Sequence, residues 1–353
     1  KGFTMAEHNY HEQMNILNTK KLRTIIQELP PFCSLFFRGI EPTTSSLTRI
    51  AYAYDLRVFF DFLKNSNPAL KNTAIREFKV DILDQIKAVD IEEYLDHLSY
   101  YKKGDSEQTN QETGKKRKLI SLRSFYNYYF KKEMIITNPA ALVDIPKLHQ
   151  KEIIRLDIDE VAKMLDQVET GENMTKAQQK YHNKTKARDL ALITLLLGTG
   201  IRVSECVGLD LIDVDFNNDG IKIQRKGGSE SIIYFGEEVR DALDNYLIER
   251  ESIIPETGSE DALFLSMQKR RINVKSVENL VKKYAGLVTS LKKITPHKLR
   301  STYGTSLYRE TGDIYLVADV LGHKDVNTTK KHYAAIEDSR RRSAANKVKL
   351  REG

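Results

Sequence analysis

Cysteine is nearly absent from this chain: Cys33 and Cys206 are the only two in 353 residues. They lie far apart and fit neither a disulfide framework nor a zinc-ligand spacing, which points to a reducing compartment. No apolar run approaches the roughly 20 residues of a bilayer-spanning helix. No charged-then-apolar leader opens the sequence, so a cytoplasmic, nucleoid-associated protein is expected. Internal repeats and long low-complexity tracts are also missing. Charge is what the chain has in quantity. Charged residues make up 30%, with a net charge of +7 and a pI near 9.0. That balance favours a polyanionic partner. Hydrophobic content of 40% at this length supplies cores for two ordinary domains.

In the amino-terminal half, residues 13–29 carry helical apolar spacing at Leu17, Ile25, Ile26 and Leu29, ended by Pro30-Pro31. Pro42 to Ser46 is a helix-start signal. In the helix it starts, Leu47, Ala51, Tyr54, Val58 and Phe62 form one stripe, read as core. DIEEYLDHL is a further helix, closed by the polar loop GDSEQTNQETG. Next comes KKRKLISLRSFYNYYFKKE, whose Leu119, Leu122, Phe125 and Tyr129 recur at helical spacing. Lys115, Lys116, Arg117, Lys118 and Arg123 lie at its start and along its other side. Such a face is either solvated or set against DNA phosphates. Asn138-Pro139 stops this helix, and LHQKEIIR is a charged linker, placing a domain boundary near residue 150.

The carboxy-terminal half opens with an amphipathic helix over residues 156–165, with Asp157 as its cap, and a polar surface excursion over 167–187. Residues 190–197 are almost wholly apolar, so their helix is buried on several sides and ends at Gly198-Thr199-Gly200. Arg202 follows at once and is read as facing a pocket, with a structural ion pair as the other possibility. Ser204 and Glu205 start the next helix, where a carboxylate is able to orient a nearby guanidinium or imidazole. Residues 221–225 and 231–235 read as two strands around a glycine-containing turn, with Lys226 at the tip. Helices follow over 237–250 and 274–290, and a basic one over the tail.

Residues 295–333 concentrate reactive groups. Pro296 suits a first helical turn, and His297 and Arg300 share a face at i and i+3. Gly322 is a helix C-cap ahead of His323, and Asn327-Thr328-Thr329 is a fresh N-cap ahead of Tyr333. Two short helices and a tight loop therefore bring an imidazole–guanidinium pair, a second imidazole and a phenol toward one place. A set of this kind acts on a phosphate without a metal cage.

Arg202 after GTG, Lys226 on a hairpin, His297-x-x-Arg300, Leu321-Gly322-His323 and Tyr333 occur in this order. Together they resemble the tyrosine recombinases, the integrase family that includes the Xer-type enzymes. TGIRVSE resembles its first arginine box, PHKLRSTYGTSL with LGHKDVNTTKKHY its second, and RKLISLRSFYNYYFKKEMIITNPA the last major helix of its core-binding domain. The resemblance implies a mainly α fold with a small β-sheet and hairpin in the catalytic domain, forming a two-domain, C-shaped DNA clamp. Its layout is a helical extension at 5–44, a helical, SAM-like core-binding domain at 45–147, a linker at 148–155 and a catalytic domain with helical tail at 156–353.

The implied activity is site-specific DNA recombination through a 3′-phosphotyrosyl intermediate. Tyr333 is the implied nucleophile, Arg202 and Arg300 the phosphate clamp, and Lys226 the proton donor to the leaving 5′-oxygen. His297 is an acid/base, His323 a hydrogen-bond donor, and Glu205 a support for the basic groups. No cofactor is called for, because the covalent bond keeps the phosphodiester energy. Double-stranded recombination sites and further copies of the chain, docked through the tail into a dimer or tetramer, are the implied partners. Chain length favours integration or excision of a mobile element, with Xer-type dimer resolution as the alternative. A type IB topoisomerase, a non-catalytic DNA-binding regulator and a zinc protein using His297, His323 and His332 are the competing functions. Departures from the family pattern are Ser301 for a common histidine, Arg225 for a usual glycine, and Ser229 and Ser231 for residues often basic. Tyr333 lies one residue further from His323 than is common, a turn of about 100° on a helix.

Overall fold

A computed structural model of the chain describes residues 9–147, 154–225, 228–323 and 326. The chain divides into two compact units, 1–151 and 152–353. Each has its own hydrophobic interior.

The first unit is helical. Its elements are α1 (Tyr10–Ile26), α2 (Cys33–Gly39), α3 (Ser46–Ser66), α4 (Ile82–Gln85), α5 (Ala88–His97), α6 (Glu112–Lys131) and α7 (Pro139–Leu142). A two-stranded hairpin, β1 (Tyr101–Lys103) with β2 (Ser106–Gln108), stands between α5 and α6. Local chemistry sets the boundaries. Asn9 caps α1 and receives Glu12 in return, and the Ser45 hydroxyl accepts from Thr48 N–H at the start of α3. The interior is aromatic: Phe36, Phe59, Phe60, Tyr94, Phe125, Tyr126 and Tyr129 are all buried. Phe125 meets Phe36 and Tyr129 edge-on at 5.2 and 5.0 Å between ring centroids, a favoured aromatic geometry. Leu22, Ile25, Cys33 and Phe36 enter this same core. Helices α1 and α2 thus contribute side chains to the unit's interior.

Two sequence expectations are corrected here. The predicted core stripe of α3 is partly turned from the observed one: Phe62 is buried and Tyr54 and Val58 pack against the core, but Leu47 is 64% exposed, and Ile50, Ala53, Leu56, Phe60 and Leu63 face inward. The inward face also holds Asp55, and a carboxylate at that position lowers the apparent hydrophobicity of the true stripe. Asp55 is 2% exposed and is the reason for the second correction. It accepts from Arg117 Nη1 at 2.5 Å, Lys118 Nζ at 3.0 Å and Ser121 Oγ at 2.9 Å. Lys118 is therefore a core residue of α6, not part of an open basic face. Arg123 is likewise engaged internally, donating to the carbonyls of Ala140 (3.0 Å) and Val143 at the end of α7.

The second unit runs α8 (Ile158–Thr170), α9 (Lys176–His182), α10 (Lys186–Thr199), α11 (Val203–Gly208), then an antiparallel sheet of β3 (Val214–Asp215), β4 (Gly220–Gln224) and β5 (Glu230–Tyr234). Helices α12 (Glu237–Glu251), α13 (Val274–Val288), α14 (Pro296–Thr311) and α15 (Ile314–Leu321) complete it. Helix α10 is central and packs on α8, α12 and α14. Its residues 191–196 are buried throughout, as its unbroken apolar run requires. Asp189 fastens its first turn, accepting from Thr185 Oγ1 and Tyr284 Oη at 3.0 Å each and from the Arg188 guanidinium. The polar segment 167–187 is not wholly surface. It folds α9 back so that His182, 1% exposed, reaches the Val168 carbonyl at 2.7 Å. In the sheet, Ile221 faces Ile233 and Gln224 faces Glu230, a register that brings the chain ends of β4 and β5 together at residues 225–229.

Asp55→Ala leaves the Lys118 ammonium buried without a counter-charge and is expected to cost about 3–5 kcal/mol of unfolding free energy. Arg117→Ala, which removes a half-exposed partner, is expected to cost less than about 1 kcal/mol. Urea unfolding followed by circular dichroism measures both.

Candidate functional site

The site is built around the carboxy-terminal turn of α15. Asp313 starts that helix, accepting from the N–H groups of Tyr315 and Leu316. Gly322 stops it in the left-handed region at φ 59°. The closure uses two carbonyls: His323 N–H donates to Ala318 O at 2.9 Å and Gly322 N–H to Asp319 O at 2.8 Å, a Schellman pairing. The next three carbonyls, of Val320, Leu321 and Gly322, lie beyond that pairing and need donors from elsewhere.

Three guanidinium groups supply them. Arg225, immediately after β4, donates to Val320 O at 2.8 Å and Leu321 O at 3.1 Å. Arg300, one turn into α14, also donates to Leu321 O, and to Gly200 O at 2.6 Å. Arg202, just before α11, donates to Gly322 O at 3.3 Å. Cations at a helix C-terminus are favoured by the aligned peptide dipoles as well as by the hydrogen bonds. The end of α10 is drawn into the same place. Gly200 has φ 62°, and a Cβ there would fall 2.4 Å from Tyr303 Cδ1, so only glycine lets the chain turn this tightly against α14.

Glu205 organises the group from below. It is 4% exposed, with one oxygen 2.7 Å from Arg202 Nη1 and the other 2.7 Å from Arg202 N–H. The latter oxygen is also 3.9 Å from Arg225 Nη1. The first turn of α11 thus places a carboxylate at a helix N-terminus, where the dipole stabilises it. Three guanidiniums and one carboxylate leave a local charge of +2 (3 − 1). Exposure separates the arginines: Arg300 is 4% exposed as a residue, and the Arg225 side chain is 9% exposed. Arg202 keeps 34% of its side chain open. Burial presses the pKa of Arg225 below its ordinary value; Glu205 opposes that shift, Arg202 adds to it and Asp319 opposes it.

Of the residues singled out from the sequence, Arg202, Glu205, Arg300 and the turn bearing His323 are brought together here. His297 lies one turn before Arg300 on α14 and is exposed. Lys226 and Tyr333 lie outside the described residues. Arg225 was legible only as a departure from the family glycine, and nothing in the spacing announced that its fork would cap α15. In the first unit Lys115 and Lys116 are partly exposed and Arg117 half-exposed, with Lys115 near Glu112 at 3.9 Å. These three remain the open basic residues of α6 from the predicted set.

Residues 155–340 match the phage integrase family. The chain is 36% identical to tyrosine recombinase XerC of Caldanaerobacter subterraneus, covering 96% of this chain and 90% of that protein. It is 33% identical to tyrosine recombinase XerC of Thermodesulfovibrio yellowstonii, covering 81% and 85%. Among solved structures it is similar to XerH site-specific recombinase bound to palindromic difH substrate, with a TM-score of 0.62 at 24% identity over 85% of this chain and 80% of that one. It is also similar to the Tn1549 transposon integrase in complex with circular intermediate DNA, with a TM-score of 0.61 at 21% identity over 85% and 94%. At these identities the structural likeness speaks for the fold.

Arg300→Ala strips the buried Gly200 carbonyl of its side-chain donor, leaves Leu321 O to Arg225 alone, and is expected to lower stability by about 2–4 kcal/mol. Arg202→Ala leaves the buried Glu205 carboxylate to its backbone donor and to Arg225 at 3.9 Å, and is expected to cost less, about 1–2 kcal/mol. Equal losses in chemical denaturation would contradict the division of the two arginines into a buried and an open member.

Proposed function

Because the chain belongs to the phage integrase family and is a tyrosine recombinase, we propose that Arg202 and Arg300 of its α15-centred guanidinium cluster bind the scissile phosphate of a DNA recombination site. The observation that carries this reading is Arg202 at the open side of the cluster, held by Glu205 and the Gly322 carbonyl with a third of its side chain exposed. A phosphodiester carries one negative charge and gains a second in an associative transition state. Planar guanidinium forks suit such oxygens, and donors fixed beforehand need no reorganisation as charge builds.

In this reading the Tyr333 oxygen attacks phosphorus, the P–O5′ bond breaks, and a 3′-phosphotyrosyl ester forms. Lys226 gives its proton to the departing 5′-oxygen. His297 exchanges the proton of the nucleophile, His323 donates to a non-bridging oxygen, and Glu205 holds Arg202 in register. A 5′-hydroxyl from a second strand reverses the step and completes an exchange. Lys115, Lys116 and Arg117 on α6 are proposed to lie against duplex phosphates, which fixes position rather than sequence. Exchange between two duplexes needs several copies of the chain, and the tail after Tyr333 is the proposed contact between them.

The relatives favour an Xer-type role over a mobile element. The length argument for an element loses its force, because 96% of this chain aligns with 90% of a relative named XerC. Resolution of joined chromosome or plasmid copies is therefore the proposed biological setting.

Tyr333→Phe is expected to bind its site with unchanged affinity and to form no covalent adduct on nicked DNA under denaturing electrophoresis. Sequencing the DNA held by the unaltered chain in its host identifies the site. A single chromosomal locus supports the Xer-type role, and element ends support integration. A persistent adduct in the phenylalanine variant would overturn the nucleophile.

A further inference from the structure

Arg225 has no assigned step in the reaction, yet it is far better buried than Arg202 and makes more hydrogen bonds to α15. Its main chain and side chain do two different jobs at once. Its N–H donates to Ser229 O at 2.7 Å and its carbonyl accepts from Gly228 N–H at 3.0 Å, which closes the turn between β4 and β5. Its guanidinium meanwhile grips the Val320 and Leu321 carbonyls. The seat is cut to fit. A Cβ on Gly322 would stand 2.6 Å from Arg225 Nη1 and 2.7 Å from its Cζ. The left-handed glycine that ends α15 therefore also leaves the space in which this guanidinium lies.

We propose that Arg225 is a positioning residue: by pinning the end of the β4–β5 hairpin to the last turn of α15, it fixes where Lys226 meets the leaving oxygen. Lys226 is the next residue, its Cα about 3.8 Å along the chain. A two-stranded tip held only by its own turn is a poor platform for a proton donor on a four-carbon stem. Tying Arg225 to the helix that also seats Arg202 and Arg300 fixes the residue that precedes the proton donor in the frame of the phosphate clamp. Its Nη groups hold the Val320 and Leu321 carbonyls, and in this proposal it acts through its neighbour rather than on the phosphate. The inference rests on the reading of Lys226 as proton donor, and the experiment separates the two.

The test compares cleavage of two nicked duplexes carrying the site recovered from covalent adducts. One has the natural 5′-bridging oxygen at the scissile phosphate, the other sulfur. In both, the Tyr333 Oη–P bond forms as the P–O5′ or P–S5′ bond breaks. The oxygen needs a proton from Lys226, whereas sulfur leaves as a stable thiolate without one. Arg225→Met is expected to bind DNA within about twofold of the unaltered chain, to cleave the oxygen substrate at least about 30-fold more slowly, and to recover to within about threefold on sulfur, the scale of a misplaced catalytic group. Arg225→Lys keeps charge and donors and is expected to lose less. Should Arg225→Met lose DNA binding, the same oxygen–sulfur difference is required of Arg225→Lys. Equal slowing on both substrates, or no slowing, overturns the role of Arg225. Lys226→Ala slowed equally on both overturns the proton-donor reading itself. Lys226→Ala rescued by sulfur while the Arg225 variants are not overturns the positioning role alone.

Discussion

The end of one short helix carries the arrangement. When α15 stops at Gly322, its Schellman closure takes care of Ala318 and Asp319 and leaves three carbonyls pointing out of the last turn. Buried acceptors left without donors are costly, and guanidinium groups from three separate places in the chain meet that need. Arg225 and Arg300 are thereby seated by backbone, and Arg202 by one carbonyl and the buried Glu205 carboxylate. Arg300 ties α14 to the ends of α10 and α15, Arg225 ties in the sheet, and Arg202 ties in α11. In the proposed function, folding and phosphate binding thus draw on the same hydrogen bonds. The helix dipole makes the concentration of like charge tolerable, and Glu205 beneath it offsets one cation.

A site of this construction is assembled rather than encoded locally. Arg202 and Arg300 are about a hundred residues apart, and each would be a solvated charge on an isolated helix. They meet only because α10, buried along nearly its whole length, sets its carboxy-terminal end against α14 and α15. The two glycines at the junctions, Gly200 and Gly322, are where the backbone must turn left-handed against a close neighbour.

Much of this was readable from residue pattern. The apolar run of α10, the glycine stops, Pro296 opening α14 and the β4–β5 hairpin have local causes, and local causes are visible in one dimension. The order of the arginine, histidine and tyrosine motifs was visible too, and it carried the family. What was not legible were the polar contacts that cross the fold. Asp55 on α3 takes Lys118 into the core from 63 positions away, so a run of basic residues looked like one exposed face when it is shared between interior and surface. Arg123 looked equally free until the α7 carbonyls were placed beside it. The α3 stripe was misread for the same reason, since a buried carboxylate interrupts the true apolar face. His182 in a polar stretch gave no sign that it would be folded inward. Arg225 was visible as an unusual residue, but its task depends on a helix end almost a hundred residues further on.

Arg202, held by Glu205 and the Gly322 carbonyl, is the group proposed to neutralise charge on a non-bridging phosphate oxygen. The most direct measurement replaces that oxygen by a methyl group, giving a neutral methylphosphonate at the scissile position, and compares cleavage by the unaltered chain and by Arg202→Ala. If the guanidinium serves to neutralise that charge, the loss caused by Arg202→Ala on phosphate shrinks by about tenfold or more on the neutral linkage, the scale of one charge-stabilising donor. A loss of the same size on both linkages would contradict the claim and leave Arg202 as a structural cap on α15.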